Sequence, residues 1–202
     1  MKAKNKTIVF LGSSVTFGAA SGGFSMCEFV RDTMAANTIK WAVSGTTLST
    51  AKPNSYIERM LAEMGSLDKC DLFITQLSTN DAAGGIELGV ILSSFDKDSF
   101  DTDTVIGAIE FIIATAREKW ECPVAFYTGT YFESEKYQKM VDALADIAKK
   151  WNVGIVDLWN SEKMRSVSAE DYERFMADGV HPKLEGYTEW WGPEFVRYIE
   201  DM

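Results

Sequence analysis

Residues 6–23 read KTIVFLGSSVTFGAASGG. The largely apolar run from Lys6 to Leu11 closes on Gly12, then gives way to small, polar, glycine-rich residues. A short run rich in β-branched and aromatic side chains, cut off by glycine, reads as a buried strand followed by a loop. The same order of signals recurs downstream. Phe24 to Ala36 carries apolar residues at helical spacing, and Ile39 to Val43 reads as a second strand. Tyr56 to Met64 reads as a helix, and Asp71 to Leu77 (DLFITQL) as a third strand that again ends in small polar residues, STND. After a long loop over 82–103, Thr104 to Trp120 is helical, with Thr102 or Asp103 as its cap. Pro123 to Tyr127 is a fourth strand, Glu135 to Trp151 a helix and Val153 to Leu158 a fifth strand. Residues 159–182 are mixed, with a helical turn around Glu170 to Phe175. Leu184 to Ile199 is helical, interrupted at Gly192-Pro193. Five strands alternating with helices predict a parallel sheet covered on both faces, in one α/β domain spanning 1–202. In such sheets a ligand lies beyond the carboxyl ends of the strands, at the topological switch point. The loops at 12–23, 44–50 and 78–85 all follow strands and share that rim.

Composition narrows the function. Of 202 residues, 46% are hydrophobic and 25% charged, which excludes disorder, collagen and coiled coil. A formal net charge of −10 repels phosphate backbones and anionic membrane surfaces, so neither nucleic acid nor a membrane surface is the expected partner. No run is long enough to span a bilayer. The basic start, MKAKNK, leads into an apolar run of only Thr7 to Leu11, too short for a signal peptide, and the chain reads as cytoplasmic. Cys27, Cys70 and Cys122 are odd in number and widely spaced, which predicts buried, reduced thiols. Histidine occurs once, at His181, so any imidazole chemistry must use that residue.

Four fragments carry polar residues that could do chemistry. Gly12-Ser13-Ser14 allows a sharp turn that exposes either a nucleophilic serine or a phosphate cradle of the kind found in flavin-binding modules. A Walker loop and a GxSxG elbow are both absent. By itself, such a serine is most often a turn former. In DGVHP, Asp178 stands three residues before His181, with Gly179 permitting a tight loop. A carboxylate there can accept from one ring nitrogen and leave the other free as a base, although local Asp–His pairs are also ordinary turn chemistry. LSTND supplies Asn80, whose amide can donate to an oxyanion or cap a turn. AVSGTTLS supplies Gly45, which permits either a close backbone approach to a ligand or simply a turn.

Taken in order, GSSVTFG, SGTT, STND and DGVHP resemble the four blocks of the SGNH (GDSL-type) hydrolase family, and they span nearly the whole chain. Two positions depart from the family pattern. Ser13 stands where the family has Asp, and Ser78 where it has Gly, making the backbone before Asn80 less permissive. The resemblance implies that Ser14 is the nucleophile, His181 the general base and then acid, and Asp178 its orienting partner. It implies an oxyanion hole from the N–H groups of Ser14 and Gly45 and the Asn80 side chain. It implies a flavodoxin-like three-layer α/β/α sandwich with a five-stranded parallel sheet, with no metal or organic cofactor. The expected activity is hydrolysis of small acyl esters, acetyl above all, on a small-molecule substrate such as an acylated carbohydrate. The rivals are an acyltransferase, a longer-chain lipase or thioesterase on the same triad, and a non-catalytic flavin- or phosphate-binding module.

Three further features have plainer readings. Asp96, Asp98, Asp101 and Asp103 lack the glycine and terminal Glu of an EF-hand loop and read as a solvated loop and helix cap. Trp190 and Trp191, at helical spacing beside Tyr187 and Phe195, read as core. Phe17, Tyr131 and Phe132 follow strand ends and are candidate pocket walls.

Overall fold

The computed structural model describes residues 3–202; Met1 and Lys2, the first residues of the basic start, lie outside the described part. The order of elements is β1 (Thr7–Gly12), α1 (Ser14–Phe17), α2 (Met26–Met34), β2 (Asn37–Ala42), α3 (Tyr56–Glu63), β3 (Leu72–Gln76) and α4 (Thr79–Gly84). There follow α5 (Val105–Trp120), β4 (Val124–Tyr127), α6 (Glu135–Trp151), β5 (Gly154–Val156), α7 (Glu162–Arg165), α8 (Ala169–Phe175) and α9 (Gly192–Asp201). All five strands are parallel, in the order β2-β1-β3-β4-β5. β3 and β4 lie inside the sheet and are buried at every residue, so they read as continuous apolar runs.

Alternation along each strand builds three layers. Val9, Leu11, Phe73 and Phe126 face a core shared with α3, α5 and α6. Ile8, Phe10, Ile74 and Tyr127 face the opposite core, shared with α2 and α9, which also holds Trp190 and Trp191. Both tryptophans are therefore core residues, as their spacing predicts. Cys27, Cys70 and Cys122 are buried and free. No described helix is long and apolar enough to cross a membrane.

Several local readings need correction. Loop 12–23 contains the helical turn α1, and the region of the third motif contains α4; both are too short to leave a periodic signal. The cap of α5 is Thr104, whose hydroxyl accepts from the Gly107 N–H, and not Thr102 or Asp103. Gly192-Pro193 does not interrupt the last helix. The chain widens into a π-helical stretch over Gly186–Trp191, and Pro193 falls in the first turn of α9, where a missing N–H costs little. In the acidic loop, Asp96 accepts from the Asp98 N–H and caps the single turn Lys97–Ser99, while Asp101 accepts from the Asp103 N–H. Among the described residues, no group of three or more side chains of metal-binding type gathers.

β1 lies inside the sheet, and the chain leaves it for β2 on one side before crossing back to β3 on the other. The switch point therefore lies at the ends of β1 and β3, where Ser14 and Asn80 follow.

Candidate active site

β1 ends at Gly12 because nothing larger fits: a Cβ there would lie 1.7 Å from Thr16 Oγ1. The turn that follows is fastened to the neighbouring strands. The Ser13 N–H and the Thr16 hydroxyl each donate to Gln76 Oε1 at 2.9 Å, and the Ser13 hydroxyl reaches the same oxygen at 3.3 Å. Thr16 Oγ1 also meets the Tyr127 hydroxyl at 2.6 Å, and buried Tyr187 donates to the Val15 carbonyl at 2.7 Å. The Ser13 N–H and the hydroxyls of Ser13 and Thr16 are thus engaged inside the protein. Ser13 is fully buried; its N–H would donate to Gln76 whatever the side chain, but its hydroxyl also donates at 3.3 Å, which the acceptor-only carboxylate of the family's Asp could not do.

Ser14 opens α1, so its N–H has no acceptor within the helix. Its hydroxyl donates to His181 Nε2 at 2.8 Å. On the other side of the ring, Nδ1 lies 2.8 Å from Asp178 Oδ2 and 3.1 Å from Oδ1. An ionised carboxylate can only accept, so Nδ1 carries the proton and Nε2 offers its lone pair to Ser14. The loop holding these residues is closed by its own backbone: Asp178 Oδ1 accepts from the N–H groups of Val180 and His181, and the Ala177 N–H donates to the His181 carbonyl. Gly179 has no left-handed φ, and a Cβ there would meet only ordinary contacts, so the loop does not require glycine at that position.

Partial burial pushes the Asp178 carboxyl up. The Val180 N–H, the His181 ring and the His181 N–H outweigh that and hold it below the usual carboxylate range. A folded value below the unfolded one means that ionised Asp178 adds stability above its unfolded pKa, and that this is lost as pH falls through the folded value. The gap in melting temperature between wild type and Asp178→Asn is therefore expected to hold above about pH 5 and to close in stronger acid. Thermal melts of both proteins from neutral pH downward check this; a gap that widens with acid contradicts it.

The loop after β2 is tied to both neighbouring strand ends. Gly45 has φ +80°, a conformation open to glycine at little cost, with free space where a Cβ would stand. Backbone conformation, not crowding, therefore selects glycine here. Next to it, the Thr46 carbonyl accepts from Asn80 Nδ2 at 2.8 Å, which leaves the second amide hydrogen of Asn80 available. The Asp81 carboxylate accepts from the N–H groups of Leu48 and Ser49 at 2.8 and 3.1 Å. Burial raises its pKa despite those hydrogen bonds. Arg59 donates to the Gly12 carbonyl at 3.0 Å and to Thr46 Oγ1 at 2.8 Å, bridging the two loops. Ser78 caps α4 through the N–H groups of Asn80 and Asp81, with φ −75° and ψ 124°. That is ordinary extended backbone, so serine in place of glycine imposes no restriction here.

The family resemblance groups Ser14, His181 and Asp178, and the structure joins them in one hydrogen-bond chain. It places Gly45 and Asn80 in adjoining loops linked through Thr46. Sequence reading missed the fastening residues Gln76, Thr16, Tyr127, Tyr187, Arg59 and Asp81. Of these only Gln76, a polar residue inside an apolar strand, left a local signal. Phe17 and Tyr131 are exposed, and half-buried Phe132 packs on Tyr137 and Trp159.

A family model described as GDSL-like Lipase/Acylhydrolase matches residues 10–188. The chain belongs to that family. It is accordingly an ester-bond hydrolase, and its substrates are esters. The fold of this GDSL-like acylhydrolase recurs in solved structures. A protein from Lactobacillus plantarum superposes with a TM-score of 0.79 at 15% identity, over 98% of each chain. A family two carbohydrate esterase from Clostridium thermocellum, in complex with cellohexaose, gives 0.68 at 13% identity, over 100% of this chain and 65% of that one. At these identities the likeness is one of fold. No curated protein matches the sequence.

Proposed function

We propose that this acylhydrolase removes small acyl groups, acetyl above all, from a polar alcohol such as a carbohydrate, by way of an acyl-enzyme on Ser14. The observation that carries the reading is the continuous chain from Ser14 Oγ through His181 to Asp178, at 2.8 Å on each side of the ring. Ser14 Oγ attacks the ester carbonyl carbon while His181 Nε2 takes the hydroxyl proton. The former carbonyl oxygen becomes an oxyanion, which meets the N–H groups of Ser14 and Gly45 and the free amide hydrogen of Asn80. The bond to the alcohol oxygen then breaks, and His181 returns its proton to that oxygen. Water enters, gives a proton to Nε2 and attacks the acyl carbon. Collapse of the second intermediate releases the acid and restores the Ser14 hydroxyl.

Two observations support a small acyl group on a polar alcohol. The net charge of −10 opposes docking on anionic lipid surfaces, and a structural neighbour is a carbohydrate esterase. A deep acyl tunnel would gain ~0.8 kcal/mol for every buried CH₂. kcat/KM for acetyl, butyryl, octanoyl and palmitoyl esters of one chromophoric alcohol is expected to be highest for acetyl. A maximum at octanoyl or beyond would reject the reading in favour of a lipase or thioesterase.

A further inference from the structure

A cavity of about 500 Å³ opens beside the loop that carries Asp178 and His181, within the size range of small-ligand sites. Tyr131, from the turn after β4, lines it together with Arg165 of α7, Tyr172 and Glu173 of α8, and Trp190. Its place relative to the triad follows from the chain. α8 runs directly into the Asp178 loop, and that loop is pinned back on it where the Lys183 N–H donates to the Phe175 carbonyl at 2.7 Å. Burial and the nearby Asp178 carboxylate both raise the Tyr172 phenol. Phe132, next in the chain to Tyr131, has its Cβ 3.9 Å from where a Cβ on Gly179 would lie.

The chemistry assigns direction to the two halves of an ester. The oxyanion turns toward the loops after β1, β2 and β3. The leaving oxygen must face His181 Nε2, which protonates it. The alcohol half therefore extends toward the Asp178–His181 loop, and Tyr172, which feels the Asp178 carboxylate, lines the cavity.

The lining suits one kind of alcohol. Arg165 is held in place by its Nε bond to the Trp159 carbonyl at 2.8 Å and by lying over the Tyr131 ring, 4.4 Å from its centre. Among the described residues, neither Arg165 nor Glu173 is in an ion pair. One cavity thus presents a fixed donor fork, an acceptor carboxylate and aromatic edges, with Trp190 stacked on Phe175 behind them. Hydroxyls both donate and accept, and the C–H faces of a sugar ring pack on aromatics.

We infer that this cavity holds the alcohol half of the substrate as a polyhydroxylated ring, with Arg165 donating to its hydroxyls and Glu173 accepting from them. This rests on the ester-hydrolysis reading above. The test compares a mono-O-acetyl methyl glucoside with ethyl acetate, whose alcohol is too small to reach the cavity. Both side chains are exposed, so Arg165→Met and Glu173→Gln leave the core intact. Each variant is expected to lose about 10–100-fold in kcat/KM on the glucoside, chiefly through KM, and less than about twofold on ethyl acetate. Equal losses on both substrates, or none on either, overturn the inference. So does a wild type that cleaves ethyl acetate as readily as the glucoside, and that result leaves the serine esterase standing. A wild type inactive on both overturns the esterase reading and this inference with it.

Discussion

Replacing His181 with alanine is expected to lower kcat by about 10⁴–10⁶. The size of the loss follows from three facts. The chain has a single histidine, so no second imidazole can substitute. Its Nε2 is the hydrogen-bond acceptor for the Ser14 hydroxyl, and Asp178 fixes the tautomer that makes this possible. Without that base, Ser14 remains a neutral alcohol of very low nucleophilicity. Ser14→Ala should match the loss, and the double variant should add little, because the two groups act as one unit. Steady-state kcat on an acetyl ester checks this; activity within tenfold of wild type in His181→Ala would contradict it. Asp178→Asn should cost less than about 10⁴-fold, the loss known for a buried counterpart. Here the Asp178 side chain is 57% exposed, so water partly screens its charge and can partly replace its hydrogen bond.

Asn80→Ala is expected to lower kcat by about 10²–10³ with little change in KM. In the proposed mechanism the side chain acts in two places. One amide hydrogen holds the Thr46 carbonyl and so steadies the loop containing Gly45; the other is left for the developing oxyanion. A planar ground-state carbonyl does not sit where the tetrahedral oxyanion will, so the loss should appear after binding. Asn80→Asp keeps the size but turns a donor into an acceptor facing the Thr46 carbonyl, and it should be at least as damaging. A loss confined to KM would make Asn80 a binding residue only.

What could be read from sequence differs by element for physical reasons. β1, β3 and β4 are buried runs of β-branched and aromatic residues and announce themselves. The four motif blocks are local, and each puts its polar residue directly after a strand or inside a tight loop. Strand order is not local: nothing within β2 states that it pairs with β1 and not β3. The fastening of the Ser14 turn is also non-local. Gln76 lies more than sixty residues from Ser13, and Tyr187 lies 172 from Val15. The helical turns at α1 and α4 are too short for periodicity to show. Pro193 looked like a break because a proline inside a regular helix would be one, and the widened turn before it was not predictable from composition. Ser78 looked like a restriction because the motif has glycine there, but its observed φ is available to any residue.

The most direct test of the central claim is the intact mass of the active protein after treatment with a serine-directed fluorophosphonate, followed by mapping of the adduct. The account predicts one adduct, on Ser14, appearing in step with loss of esterase activity. Formation should be slowed in His181→Ala and absent in Ser14→Ala. An adduct on another residue, labelling that survives in Ser14→Ala, or a fully active enzyme that takes up no label would contradict it.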